Sequence, residues 1–244
     1  MIPLRDNIPS RTRPGAGIVL IAVTMMVFLY ELNLSPRDLE SFFMTYGLVP
    51  GRLTGLLHPS YYPFEGSRYL GLFSSMFLHA GWFHFLGNMW FLWIFGDNVE
   101  DHLGHRRFVI FYLICGVAAG LAQIIADPGS HLPMVGASGA IAGVMGAYFV
   151  LFPRAKILTL IPIFIIFTWL EIPAVIFLGI WFLMQFVNGA VMSAANVQGG
   201  VAFWAHAGGF IAGMLFLGLL GGWRKPDPPV AKWSRQFSGG MRGL

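Results

Sequence analysis

Six separated apolar runs constrain this chain more than any other feature. They lie near residues 15–32, 82–95, 108–125, 137–152, 172–188 and 201–222. Hydrocarbon offers no hydrogen-bond partner, so a run that enters it must satisfy its own backbone, and a helix of about 20 residues does so. The chain therefore reads as an all-α, polytopic membrane protein: an N-terminal tail over 1–14, a six-helix membrane domain over 15–222 and a basic C-terminal tail over 223–244. Composition agrees. The 244 residues are 56% hydrophobic and 11% charged, against about 25% charged in an average soluble domain.

Other features narrow the function. The net charge of +4 is small and its basic residues sit in loops and tails, which reads as an orientation signal and excludes a nucleic-acid surface. A single cysteine, Cys115, excludes an internal disulfide and a multi-thiolate metal site, and reads as a small buried apolar residue. No metal or cofactor is expected. Residues 15–32 read as a retained helix, residues 33–78 as a long functional loop with short interfacial helices, and 157–170 as an interfacial or re-entrant piece before a fifth span at 172–188. Residues 189–200 read as a loop.

Six spans put both termini on one side. Near the helix ends that side holds Arg5, Arg11, Arg13, Arg106, Arg107, Arg154, Lys156, Arg224 and Lys225; the other holds Arg37, Arg52 and Arg68. The positive-inside rule then makes the termini cytoplasmic. With no Arg- and Ser-rich presequence evident, the expected setting is a bacterial plasma membrane.

This orientation brings three polar stretches to one depth in the outer half of the bilayer: His84-Phe-Leu-Gly-Asn88, Gly136-Ala-Ser138-Gly139, and Ala205-His206-Ala-Gly-Gly209. His84 and Asn88, four apart, share a helix face. Gly139, Gly143 and Gly146 form one stripe and Gly209 and Gly213, with His206, another, so the fourth and sixth helices can approach closely enough to face Ser138 towards His206. A hydroxyl is a poor nucleophile until a base accepts its proton, and imidazole suits that task. No acid is expected at this depth, so the pair is a dyad. The Ser138 N–H in a first helical turn, with the His84 and Asn88 side chains, offers donors for an oxyanion, each worth roughly 3–4 kcal/mol in a dry site. Gly136 leaves space beside Ser138. The plainer readings are interhelical glue for His84 and Asn88, packing for Trp90, Trp93 and Trp181, a loop tie for His79 and a helix-start anchor for Glu171.

On these residues the chain resembles the rhomboid family of intramembrane serine proteases, over most of 70–220. The pieces are His84-x-x-x-Asn88 within His79-Ala-Gly-Trp-Phe-His84, Gly136-Ala-Ser138-Gly139, His206-x-x-Gly209-x-x-x-Gly213, and Gly96-Asp-Asn-Val-Glu100 to Gly104 followed by Phe111-Tyr112-Leu113. The resemblance implies a six-helix core with a cleft open to the outer side, and cleavage of transmembrane protein substrates in or beside their membrane segments. It implies Ser138 as nucleophile, His206 as general base and acid, and His84 with Asn88 as oxyanion donors. Ser67-Arg68 stands where the family often has Trp-Arg. Ala142 stands where some members stack a tyrosine on the histidine, so His206 needs another support, with Phe203 and Phe210 as candidates. The alternatives are a non-catalytic protein that binds client helices in the same cleft, and, with less support, a small transporter. No substrate identity or oligomeric state is legible.

Overall fold

Glycine decides which helices touch. In the computed structural model, which describes residues 1–57, 67–163, 166–195 and 201–220, helix α7 (Ser138–Leu151) lies directly on helix α9 (Phe203–Leu219). A Cβ added at Gly209 would land on the Gly139 carbonyl oxygen, one at Gly213 on that of Gly143, and one at Gly146 on that of Phe210. The two backbones are in contact along both expected stripes, a packing that only the absence of a side chain permits. Helix α6 (His105–Ala126) closes against both. Its Ala119 lies over Gly139 and its Ala122 over Gly208, while Cys115 is fully buried against Gly143.

Around this core stand α1 (Gly15–Glu31), α5 (Trp82–Leu103) and α8 (Ala174–Ala194). Helix α1 has no side-chain cap of its own at Pro14. The buried Glu100 carboxylate of α5 supplies it, accepting from the Ala16 N–H at 2.8 Å and the Gly17 N–H at 2.7 Å, where the helix dipole favours negative charge. The same carboxylate meets His105 Nδ1 at 2.5 Å, so Glu100 joins three helices at one end of the bundle. Helix α8 is the least buried of these, with Leu183 59% and Val191 61% exposed. Among the described residues, α6 and α8 are long and apolar enough to cross a membrane, and α1, α7 and α9 are shorter apolar helices.

Several boundaries differ from the sequence reading. Helix α5 does not end at 95, and the polar stretch after it forms its last two turns. Each acid there has a partner: Asp97 takes a hydrogen bond from Ser10, Glu100 caps α1, and Asp101 accepts from the Thr12 N–H at 2.9 Å and its hydroxyl at 2.7 Å. Gly104, with φ +78°, makes the break before α6. Helix α8 continues to Ala194, so most of the expected 189–200 loop is helical; residues 196–200 and the 223–244 tail lie outside the described residues. The long loop holds α2 (Pro36–Tyr46), α3 (Pro50–Leu53), α4 (Ser67–Ser74) and a 3₁₀ turn at Ser75–Phe77. Ser35 caps α2, its hydroxyl accepting from the Asp38 N–H, with Pro36 pre-set in the first turn. Pro59 and Pro63 lie outside the described residues.

The fold is mostly helical but not all-α. Strands β1 (Ile2–Asp6), β2 (Lys156–Ile163) and β3 (Ile166–Pro173) form an antiparallel sheet in that order. The segment read as interfacial or re-entrant is thus a β-hairpin, and residues 1–14 are not a loose tail. The reason is the side chains: a β-branched run around Ile157, Thr159 and Ile161 alternates, with Ile157 and Thr159 buried, and this period of two suits a strand. Trp90, expected only to pack, donates its indole N–H to the Pro3 carbonyl at 2.6 Å. Glu171 is not a helix anchor; it pairs with Lys156 across the hairpin at 2.9 Å.

The glycine contact predicts that Gly213→Ala lowers the unfolding free energy in detergent by about 1–3 kcal/mol or more. Gly179→Ala, with nothing within 4 Å of the new methyl, should be neutral or stabilising by up to about 1 kcal/mol. Thermal melts of both variants check this.

The strand contact predicts a pH dependence. Burial pushes the Asp6 carboxyl up to about 7, the nearby Asp97 adding to this and a hydrogen bond from the Tyr148 hydroxyl partly opposing it. A raised carboxyl pKa stabilises the docked strand fully below pH 4, and this contribution fades as pH rises through 7. Hydrogen-exchange protection at Leu4 and Arg5, corrected for intrinsic rates, should fall about ten-fold or more between pH 5 and 8. Asp6→Asn should flatten that change.

Candidate active site

The end of the bundle opposite Glu100 holds the polar stretches. Ser138 is the first residue of α7, reached through a chain that Gly136 turns. Gly136 has φ +130°, and its N–H donates to the Ser75 carbonyl at 2.8 Å. A methyl there would lie 2.6 Å from His84 Nε2 and 3.6 Å from the Ser138 hydroxyl oxygen. Glycine thus clears the space that the His84 imidazole and the Ser138 side chain both face. The approach is further fixed by the bridge between Leu48 and Met134, which straps the long loop to it.

His206 lies in the first turn of α9. Its Nε2 is 2.7 Å from the Ser138 hydroxyl and its Nδ1 is 2.8 Å from the Gln185 amide oxygen on α8. These partners fit one tautomer of the ring. A carbonyl-type oxygen can only accept, so Nδ1 carries the hydrogen and Nε2 presents its lone pair to the serine O–H. The pair sits in a cavity of about 630 Å³ that His84, Asn88, Ser138, His206 and Trp181 help line, with an apolar remainder that includes Met76 and Phe91. Asn88 is 7% exposed and its amide nitrogen has no hydrogen-bond partner. A buried donor left without an acceptor costs about 1–3 kcal/mol unless something in the cavity accepts from it.

All four polar residues singled out in the sequence therefore meet at one cavity. Other residues differ from the sequence reading. Gln185 is the lone amide in an apolar run from Ala174 to Val187, and a solitary polar side chain within a membrane helix is itself a signal. Trp181, one turn before it, was read as packing; its ring lies 5.8 Å from that of His206. Phe210, a sequence candidate for holding His206, instead packs on Trp181, and among the described ring contacts Phe203 makes none with His206. His79 does more than tie a loop. Its ring packs edge-on against His84 at 5.0 Å, its Nε2 accepts from the Ala137 N–H at 3.5 Å, and its backbone N–H donates to the Glu31 carboxylate, while its Nδ1 has no hydrogen-bond partner. An acid does lie near this depth, but Glu31 serves His79 and not His206. Burial, helped by His84, holds the His79 imidazole down at about 3 and hence neutral.

Residues 66–223 match the family model described as Rhomboid domain. The chain belongs to the rhomboid family. It is a membrane protein. Rhomboid-like protein 11, chloroplastic, of Arabidopsis thaliana is 26% identical over 229 residues, covering 88% of this chain and 69% of the relative. Rhomboid protein 1, mitochondrial, of Saccharomyces cerevisiae is 30% identical over 154 residues, 60% of this chain and 40% of that protein. The human presenilin-associated rhomboid-like protein, mitochondrial, is 28% identical over 172 residues, 65% and 40%. The chain thus spans less than half the length of these two mitochondrial relatives.

The geometry around this rhomboid site predicts an acid limit to stability. A His79 held neutral when folded and ordinary when unfolded contributes fully above pH 6.5 and loses that contribution as pH falls towards 3. Thermal melts from pH 7 to 4 should show a decline that His79→Gln reduces.

Proposed function

We propose that this rhomboid protein is an intramembrane serine endopeptidase that cuts peptide bonds in or beside transmembrane segments of membrane-protein substrates. The observation that carries the reading is the 2.7 Å approach of the Ser138 hydroxyl to His206 Nε2 inside a cavity of about 630 Å³. As His206 takes the hydroxyl proton, the Ser138 oxygen attacks the scissile carbonyl carbon. The resulting oxyanion is held by the Ser138 N–H, which has no acceptor within its own helix, and by the His84 and Asn88 side chains. His206 then gives its proton to the leaving amine. Water, activated by the same imidazole, hydrolyses the ester and restores the serine.

The reading includes six membrane-spanning helices, α1, α5, α6, α7, α8 and α9, forming the domain over 15–222 with both termini on the cytoplasmic side. Its support is the segregation of Arg5, Arg11, Arg13, Arg106, Arg107, Arg154 and Lys156 to the connections at one end. The fourteen residues of α7 give about 21 Å of helix, less than the hydrocarbon thickness, so Ser138 starts below the opposite surface. Water reaches the site through the cavity, open to the outer side.

Co-expression with a tagged single-span membrane substrate tests the reading. The wild type should release a cleaved fragment, and Ser138→Ala and His206→Ala should release none. Asn88→Ala, which removes one oxyanion donor, should slow cleavage by about 100-fold without changing fragment size. An intact substrate retained by the wild type would point instead to the client-binding alternative.

A further inference from the structure

We infer that Gln185 of α8 is the positioning residue that sets the His206 tautomer, converting the proposed dyad into a Ser138–His206–Gln185 relay whose third member is neutral. The inference rests on the peptidase reading and extends it to a helix that the sequence motifs do not touch.

Three observations carry it. The Gln185 amide oxygen lies 2.8 Å from Nδ1, on the opposite side of the ring from Ser138. Trp181 and Gln185 are four residues apart and so share one face of α8; the first covers the ring plane, tilted by 33°, and the second holds its edge. Position 142 is a fully buried alanine, too short to reach the ring. Thus α8, otherwise the least buried of the six long helices, supplies both contacts that fix the imidazole's orientation.

The physical consequence follows from hydrogen-bond roles. An imidazole without an Nδ1 acceptor divides between two tautomers, and the Nε2-protonated one cannot take a proton from Ser138. An acceptor at Nδ1 selects the productive form, and it also stabilises the imidazolium that forms during attack. Among the residues described around the cavity, His84 is the other ionisable group facing His206, so no carboxylate competes with Gln185 for this task.

The rate of labelling of the full-length, membrane-embedded protein by a fluorophosphonate probe, measured against pH, tests the assignment. Gln185→Leu should slow labelling about ten-fold and move the acid limb of the profile to lower pH, because the imidazolium loses a partner. Gln185→Glu should keep labelling near the wild-type level and move that limb up by about 1–3 units. Gln185→Met, unbranched and of similar length, should behave like the leucine variant and guards against a packing artefact. Helix packing alone would slow all three variants and leave the limb in place. Wild-type rates and an unmoved limb in the leucine and methionine variants would overturn the role of Gln185 while leaving the peptidase reading intact. A wild type that does not label would overturn both.

Discussion

Backbone contact between α7 and α9 is the constraint on which the rest depends. In hydrocarbon no hydrophobic force draws helices together, so packing must come from close approach. Here Gly139, Gly143 and Gly146 on one helix meet Gly209 and Gly213 on the other with no side chain between them. The register of this contact fixes more than stability. It brings the first residue of α7 opposite the first turn of α9, and thereby sets Ser138 beside His206. A side chain at either stripe would separate the helices and the reacting groups together.

The site then exploits what helix ends offer. First-turn N–H groups lack partners in their own helix, and a serine placed there has a free backbone donor next to its hydroxyl. Gly136 adds the open turn that lets His84 approach. The surroundings are apolar, which strengthens each hydrogen bond made and penalises each one left open. His79 accepts from the Ala137 N–H through Nε2 and is held neutral by burial, while its Nδ1, like the Asn88 amide nitrogen, has no hydrogen-bond partner. At the far end, Glu100 and the N-terminal strand tie α1, α5 and α6 together, while the less buried α8 borders the cavity.

Much of this was legible in the sequence because glycine spacing and polar residues in apolar runs are local signals. His84, Asn88, Ser138 and His206 were expected together from span assignment and orientation, and they line one cavity. The β-sheet was harder to read, since Ile157 to Trp169 is as apolar as a helix, its alternation is short, and one of its two partners, residues 2–6, lies far away in sequence. The acids after residue 95 looked like a connection because their partners, Ser10, Thr12 and the α1 amides, lie some eighty residues upstream. Gln185 was passed over for a related reason. Its meaning depends on the rotation of α8, which no short motif encodes.

Peptide-level mass spectrometry of the fluorophosphonate adduct tests the central claim most directly, because a second serine, Ser75, lines the same cavity. The account predicts modification on Ser138 alone, and none on any serine when His206 is replaced by alanine. An adduct on Ser75, or one that persists on Ser138 without His206, would contradict it.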